Sequence, residues 1–183
     1  MALLKIARLG HPAIRAGSEI MTAGACARED FQVFLENLVD TMRDANGVGI
    51  AAPQVHVLER VIAIEVDPRN PRYPDYPHVP LTILINPQLV GHSTETNEDW
   101  EGCLSVPELR GRVPRWTSVH VQAIDREGRT VDFTAEGFHA RVLQHELDHL
   151  EGKVFLDRMR DFSTLTHLHE YQQFWRATLE RPG

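Results

Sequence analysis

The sequence predicts an α+β domain in which helices are combined with antiparallel strands. Two amphipathic helices, at 29–45 and 138–150, stand on either side of a series of short strand-like runs. Two of those runs, 118–124 and 130–134, are separated by DREGR at 125–129, a composition typical of a hairpin turn. Because a hairpin turn joins antiparallel neighbours, antiparallel pairing is the simpler expectation for the sheet.

Length and composition narrow the class of protein. At 183 residues the chain has the usual size of one domain, so a single domain over 1–183 is expected. No apolar run approaches the ~18 residues of a membrane span, and the formal net charge of -7 argues against general binding to nucleic acid. Two cysteines favour a reducing compartment over a disulfide framework. We therefore expect a cytoplasmic protein, with no membrane and no direct nucleic acid partner.

The first predicted helix, 29–45, is followed by a segment that does not continue it. Asn46 and Gly47 end the helix, and GVGIAAPQ at 47–54 is too rich in glycine for a helix, so it is expected to be partly extended. The helix would bury one face through apolar side chains at helical spacing. These are Phe31, Phe34, Leu35, Leu38, Val39 and Met42.

The other elements follow from the same patterns. Strand-like runs lie at 61–66 and 81–86, and a last helix is predicted at 165–179. Between the two strands, prolines recur at every third position from 68 to 80, which favours a stiff, polyproline-like connector. A ligand for a proline-binding module is the alternative for this segment.

The second helix carries two histidines four positions apart, in QHELDH at 144–149. At about 100° per residue, His145 and His149 lie on one face a turn apart, so both imidazoles can reach one metal ion. Glu146 flanks that face, where a carboxylate can exchange protons with a metal-bound water without becoming a ligand. The alternative is an exposed helix that carries two histidines and solvated acids.

A catalytic metal site usually has three protein ligands, so one more must come from elsewhere in the chain. Glu170, on the last predicted helix, lies roughly where one class of zinc endopeptidases has its glutamate. Cys103 lies in a polar loop, EGCLSVPELRG at 101–111, and a thiolate suits a borderline-soft divalent ion. A free cysteine is also commonly a small buried apolar residue. Residue chemistry alone leaves both roles open for Cys103.

Three segments together closely resemble the signature motifs of the peptide deformylases. They are GVGIAAPQ at 47–54, EGCLSVP at 101–107 and QHELDHLEG at 144–152, in that family's order and approximate spacing. The opening GHPAIR at 10–15 is also similar to the family's N-terminal segment. The stretch 137–152 looks more like the organellar branch of the family than the enterobacterial one.

The resemblance implies an enzyme that removes the formyl group from the N-terminal formylmethionine of newly made chains and releases formate. Its metal ligands would be Cys103, His145 and His149. Glu146 would be the general acid and base, and Gln54 with the backbone N–H of Leu104 would form the oxyanion pocket. The ion in cells would be Fe²⁺, with Zn²⁺, Ni²⁺ or Co²⁺ able to occupy the site.

Substrate contacts can be proposed on the same basis. An extended peptide would pair with the backbone of Gly47, Val48, Gly49 and Ile50 like an added strand. Val142 and Leu104 are candidates for an apolar pocket that holds the methionine side chain. Arg110 is expected to cross the loop to Glu101 and hold Cys103 in place, with a solvated surface arginine as the alternative. Asp148 is a candidate to orient groups behind the histidines.

The resemblance also implies antiparallel or mixed sheets packed around a central helix that carries the two histidines, with helices at both ends. The expected partners are N-formylmethionyl nascent peptides. Some bacterial members dock on the ribosome through a basic C-terminal helix, whereas residues 161–183 here hold three acids against two arginines. We therefore expect transient proximity to the ribosome without that docking.

Several alternatives accompany this interpretation. A bacterial cytoplasmic protein fits the missing presequence, and an organellar protein in its mature form is the second choice. A zinc endopeptidase could use His145, His149 and Glu170 and would need no cysteine. A catalytically inactive metal-binding domain of the same fold is the third possibility.

Overall fold

The computed structural model describes residues 2–22, 24–70, 72 and 76–176. The helices are α1 (Glu29–Asp44), α2 (Gly137–Leu150) and α3 (Leu168–Glu170), which continues as a π-helical stretch, Tyr171–Arg176. The strands are β1 (Gly49–Ala51), β2 (Val61–Val66), β3 (Val79–His92), β4 (Thr96–Cys103), β5 (Val106–Trp116), β6 (Ser118–Ile124), β7 (Thr130–Glu136) and β8 (Thr166–His167). Within these ranges, none of the helices combines the length and the apolar character that a membrane crossing needs.

The strands form two antiparallel sheets, as predicted. One is five-stranded in the order β1-β2-β3-β6-β7, and the other is three-stranded in the order β4-β5-β8. The hairpin between β6 and β7 is closed by the N–H of Asp125, which donates to the carbonyl oxygen of Arg129 at 2.9 Å. Gly128 takes the left-handed backbone that this turn requires, with φ of 80°. The prediction of an α+β fold with antiparallel pairing is confirmed.

The five-stranded sheet is covered on both faces at β2, which accounts for the continuous apolar run in that strand. Side chains alternate between the faces of a strand. Val61 and Ala63 join the core cluster of α1, whereas Ile62 and Ile64 join the cluster of α2. The predicted apolar face of α1 is buried there, with Leu35, Leu38 and Met42 among its fully enclosed side chains. The two helices therefore cover opposite faces of this sheet.

Helix α2 is enclosed on all sides, although many of its residues are polar. It contacts β1, β2, β6 and β7 of the larger sheet and β5 of the smaller one. Every residue from Ala140 to Leu150 is buried. A helix enclosed in this way is usually apolar all round, so its polar side chains need partners within the fold. The polar ones are Arg141, Gln144, His145, Glu146, Asp148 and His149.

Strands β4 and β5 were not predicted, and they change the setting of Cys103. β4 and β5 pair from Thr96 opposite Trp116 to Cys103 opposite Val106. Cys103 is thus the buried last residue of a strand, and its assignment to a polar loop is wrong. These strands were missed because they contain acids, glycines and prolines, which are depleted in strands and obscure the alternating pattern. Tertiary pairing overrides that local preference.

The last predicted helix, 165–179, begins too early. Thr166 and His167 form β8 instead, because they pair with Arg110 and Leu109 at the edge of β5. The helix starts only at Leu168, and its predicted end at 177–179 lies outside the described residues. The strand predicted at 81–86 is longer than expected, since β3 runs from Val79 to His92. The polyproline connector lies partly outside the described residues, at 71 and 73–75.

Candidate metal centre

Strand β4 and helix α2 bring three ligand-type side chains together. They are Cys103, His145 and His149, all buried, with one possible ligand atom of each within 4.8 Å of the others. The Cys103 Sγ lies 3.2 Å from His149 Nε2. The two imidazole rings are 5.1 Å apart and nearly perpendicular, at 75°. One thiolate and two imidazoles form a donor set that suits Zn²⁺, Fe²⁺ and similar ions.

The charges of these three side chains favour the binding of a cation. Burial alone would raise the pKa of the Cys103 thiol, but the adjacent His149 and His145 hold that pKa well below its usual range. Burial would conversely lower the pKa of His145, yet Cys103 and Glu101 raise it well above its usual range. The coupled pair is therefore a thiolate beside an imidazolium. A divalent ion can replace the imidazolium proton as the positive partner of the thiolate, so these residues fit a metal.

The ring of His145 is oriented from behind. Its Nδ1 lies 2.9 Å from Glu101 Oε2, which leaves Nε2 to face the cluster. Arg115 holds Glu101 at two points, with Nε 2.9 Å from Oε1 and Nη2 3.0 Å from Oε2. Arg141 donates to Oε1 as well, at 2.8 Å. A carboxylate that fixes a ligating histidine is a common requirement of metal sites.

The network extends back to α2 through Asp148. The Nη1 of Arg115 lies 2.6 Å from Asp148 Oδ2, and Arg158 binds the same carboxylate at 2.6 Å. Burial would raise the pKa of Glu101, but the charges of Arg115 and His145 bring it well below its usual range. Glu101 is therefore ionised, and a chain of alternating charges supports the histidine. The expectation that Asp148 orients groups behind the histidines agrees with this position.

Glu146 lies beside the cluster without joining it. Its side chain is buried, and Oε2 has no hydrogen-bond partner among the described residues. Burial raises the pKa of Glu146 to about 7, although His145 and His149 act against that rise. A carboxyl group with such a pKa can both accept and donate a proton near neutral pH. Gly49 provides the space, because a Cβ at this position would overlap the Glu146 carboxylate.

The side chain of Gln54 is held in one orientation on the other side of Cys103. Its Oε1 accepts from the N–H of Ala51 at 2.8 Å, so Nε2 faces Ser105 Oγ at 3.2 Å and Cys103 Sγ at 3.7 Å. The N–H of Ser105 also donates to Cys103 Sγ, at 3.3 Å. Ser105 was not identified from the sequence, since a serine in an apolar run carries no signal of this role.

A cleft opens beside these groups. It contains most of the residues predicted to contact substrate. Predicted residues in its lining are Gly47, Val48, Gly49, Gln54, Glu101, Cys103, Leu104, Val142, His145 and Glu146. The lining also includes residues that the sequence did not indicate, namely Arg72, Trp100, Gly102, Phe138 and Arg141. Of these five residues, only Arg141 could have been predicted from the sequence, because it lies one helical turn before His145 on α2.

The predicted residues outside this lining include Ile50, Arg110 and Glu170. The Ile50 side chain is fully buried in the core cluster of α1, so only its backbone could face a peptide. Arg110 is buried, and its guanidinium lies against Gly102, where a Cβ would overlap it. Glu170 is 51% exposed and lies 3.1 Å from His169. Glu170 is not part of the ligand cluster, so the zinc endopeptidase alternative is wrong about its third ligand.

A buried Cys-His-His cluster beside a protonatable carboxyl group in a cleft is typical of metal-dependent hydrolases. The sequence profile described as polypeptide deformylase matches residues 3–164 of this chain. The chain therefore belongs to the polypeptide deformylase family, which is a family of metal-dependent enzymes.

Individual relatives agree with that assignment. Peptide deformylase 1 of Prochlorococcus marinus is 43% identical over 161 residues, which cover 88% of this chain and 83% of that protein. Peptide deformylase 2 of a Nostoc species is 44% identical over 172 residues, with coverage of 93% and 94%. A crystal structure of a class I type b peptide deformylase from Acinetobacter baumannii, bound to Met-Ala-Ser, has a TM-score of 0.83 and 37% identity. It covers 86% of this chain and 99% of that one.

Proposed function

We propose that this protein is a peptide deformylase that hydrolyses the N-formyl group of N-formylmethionyl nascent peptides and releases formate. The observation that carries the proposal is the buried cluster of Cys103, His145 and His149 beside Glu146, in a cleft next to β1. Family membership supports the same reaction. Formate and a free amine are the products, so one water molecule is consumed for each formyl group removed.

Cys103, His145 and His149 would hold the metal ion. A divalent ion in such a site lowers the pKa of water to about 7 and polarises a carbonyl group. We infer Fe²⁺ in cells from the resemblance to the family. Zn²⁺, Ni²⁺ or Co²⁺ could replace it, because a donor set of one thiolate and two imidazoles accepts all four ions. The buried helix α2 is then the central element of the fold, since it carries two ligands and contacts both sheets.

Glu146 would serve as the general base and then as the general acid. Its carboxylate accepts the proton of the water that attacks the formyl carbon, and it returns a proton to the nitrogen as the C–N bond breaks. Burial supports the role, because the raised pKa of about 7 lets one group perform both transfers. The Oε2 atom has no hydrogen-bond partner among the described residues, so it could accept a hydrogen bond from a water molecule or from the amide nitrogen.

Gln54 and the backbone N–H of Leu104 would stabilise the negative charge that develops on the formyl oxygen. The Ala51 N–H fixes the Gln54 amide so that its N–H groups face Cys103. A donor oriented before the reaction needs no rearrangement in the transition state, and the loss of one such donor costs about 10²-fold or more in kcat.

The peptide itself would bind as an extra strand. β1 is an edge strand of its sheet and pairs only with β2 among the described strands. Gly47 and Gly49 lie on the cleft side of this edge, and Leu104 and Val142 line the same cleft for the methionine side chain. Relatives from bacteria support a bacterial cytoplasmic location. Brief proximity to the ribosome would follow from action on nascent chains.

Formate release from formyl-Met-Ala-Ser, measured without oxygen in the presence of Fe²⁺, tests this proposal. We expect turnover by the wild-type protein and none by Glu146→Gln, which should keep its metal. Metal-loaded wild-type protein that releases no formate would instead favour an inactive metal-binding domain.

The ligand assignment is tested by metal content. Cys103→Ser should lose most of the bound metal, whereas Glu170→Gln should retain it. The opposite pattern would overturn the assignment of Cys103 and restore Glu170 as a candidate ligand.

A further inference from the structure

Gln144 directly precedes the candidate ligand His145 on α2, but its side chain contacts strand β5 rather than the cleft. The residue is only 5% exposed, and it does not belong to the described lining of the cleft. A buried amide needs partners within the fold for its oxygen and for its N–H groups. The partners of Gln144 therefore show which parts of the fold it joins.

The Gln144 amide binds the backbone of Trp116 at two points. Its Oε1 accepts from the N–H of Trp116 at 3.0 Å, and its Nε2 donates to the carbonyl oxygen of Trp116 at 2.9 Å. These two bonds reproduce the exchange that a residue makes with a paired strand. Nε2 also donates to the carbonyl oxygen of Ala140, one turn earlier on α2, at 2.9 Å. The side chain thus joins α2 to the last residue of β5.

Other polar contacts hold α2 against the same end of β5. The N–H of Gly137, the first residue of the helix, donates to the carbonyl oxygen of Thr117 at 2.9 Å. One turn later, Arg141 donates to the carbonyl oxygen of Val113 at 2.8 Å. Gln144 forms a further point of this kind, directly before the first histidine. Because these points are spread over two helical turns, together they set the position of α2 along β5.

The ligands come from elements that pack in different apolar clusters. Cys103 lies in the cluster of the three-stranded sheet, whereas Leu143 and Leu147 of α2 lie in a cluster of the five-stranded sheet. Apolar packing is non-directional, so it does not fix the register between these elements. Metal–ligand distances tolerate only about 0.2 Å, whereas a shift by one residue moves a helix about 1.5 Å along its axis. Directional bonds between α2 and β5 are therefore needed to assemble the site.

We propose that Gln144 is a positioning residue for the metal centre. Its two-point bond to Trp116 sets the register of α2 against β5, and it thereby holds His145 and His149 at ligand distance from Cys103. The inference rests on the ligand set of the proposed function. It gives a role to a side chain that lies outside the ligand cluster and acts only through the backbone that the cluster depends on.

Gln144→Met tests this role, because methionine has similar length but can make neither bond to Trp116. We expect the Kd for Co²⁺ to rise by about 10–100-fold, the usual cost of losing a group that supports a ligand. The visible absorption bands of bound Co²⁺ should also shift, because they report coordination geometry. Gln144→Glu keeps an acceptor for the Trp116 N–H and loses the donors, so its effect should be smaller and in the same direction.

The matched control is Leu143→Ala, at the adjacent position of α2. It removes a fully buried apolar side chain and should destabilise the fold, but it leaves the bonds to β5 in place. We expect it to lower the melting temperature of the metal-free protein, while the Kd for Co²⁺ and the absorption bands stay as in the wild type. All variants are compared at a temperature well below their melting temperatures.

Two results would overturn the role of Gln144. One is that the folded Gln144→Met protein, or Gln144→Glu if the methionine variant does not fold, binds Co²⁺ with the Kd and the bands of the wild type. The other is that Leu143→Ala causes the same loss of affinity and the same band shift, since a general loosening of α2 would then explain both. These measurements need no turnover. If metal-loaded wild-type protein releases no formate, the deformylase function is wrong, and that failure is separate from failure of the positioning role.

Discussion

Arg115 and Glu101 form a buried, two-point ion pair directly behind the metal-ligand cluster. Both side chains are only 4% exposed, and the carboxylate that Arg115 holds accepts the Nδ1 proton of His145 at 2.9 Å. A buried ion pair contributes little net stability, whereas the loss of one partner leaves an uncompensated charge. The ion pair therefore serves mainly to support the orientation of His145. Because both charges are buried, Arg115 and Glu101 each need the other as a partner.

Arg115→Met is expected to lower the free energy of unfolding by about 3–5 kcal/mol, because it leaves Glu101 and Asp148 buried with fewer partners. Metal affinity should fall by about 10–100-fold, the usual cost of removing a group that orients a ligand. Denaturant unfolding and metal titration measure the two effects. The matched control is Arg112→Met on the same strand, since Arg112 is partly exposed and lies 3.9 Å from Glu98. Equal effects of the two substitutions would contradict the role given to Arg115.

Gly49→Ala should impair catalysis while the fold persists. The added Cβ would overlap the Glu146 carboxylate, so Glu146 has to move. A displacement of about 1 Å in a reacting group can cost about 10²-fold in rate. Gly91→Ala in β3 is the control, because its Cβ would meet its nearest neighbour, His120 Cβ, at an ordinary 3.4 Å. We expect kcat/KM to fall about a hundredfold for Gly49→Ala and to stay near wild type for Gly91→Ala; similar rates for both would remove the steric argument.

Local patterns were enough to predict several elements of this fold. Helix α1 and strand β2 were found because their apolar spacing is repeated over consecutive residues. The turn at 125–129 was found because its composition fits one backbone conformation. These features depend on neighbours in the sequence, and none of them requires knowledge of distant contacts.

The ion pair of Arg115 and Glu101, which supports His145, could not be predicted from local patterns. Arg115 and Glu101 are fourteen positions apart in the chain. The sequence alone does not distinguish a buried arginine from a solvated one. Their meeting depends on β4 and β5, whose composition hides the strands. For Cys103, chemistry alone left two roles open, and only three motifs taken together favoured a ligand. Whether a residue belongs to the site therefore depends on pairing between distant parts of the chain, which the identity of a single residue does not reveal.

Gln54→Met should reduce kcat by about 10²–10³-fold with little change in metal content. Methionine has similar length but no N–H to offer the developing oxyanion, whereas the ligand cluster does not include Gln54. Steady-state kinetics and metal analysis of the same preparation separate the two effects. Gln88→Met, an exposed position on β3, controls for the substitution itself. A Gln54→Met protein with normal kcat would exclude this side chain from the oxyanion pocket.

Acid should weaken the attachment of the N-terminal segment through Asp157. Burial tends to raise the pKa of this carboxyl group, but the Arg15 guanidinium and the N–H of Val154 bring it below its usual range. A carboxylate with a lowered pKa in the folded state stabilises the fold at pH values above its pKa in the unfolded chain, about 4. That contribution is lost as the pH falls through the lower pKa of the folded state.

Asp157→Asn should therefore lower the free energy of unfolding by about 0.5–1 kcal/mol at pH 7, a small value because the ion pair is partly exposed. As the pH falls through the lowered pKa of Asp157 in the folded state, the difference from wild type should shrink. Denaturant unfolding of the wild type, Asp157→Asn, Arg15→Gln and the double variant at pH 7 and pH 3 measures the pair directly. A coupling energy that stays the same at both pH values would contradict the assignment, because protonation of Asp157 must remove its attraction to Arg15.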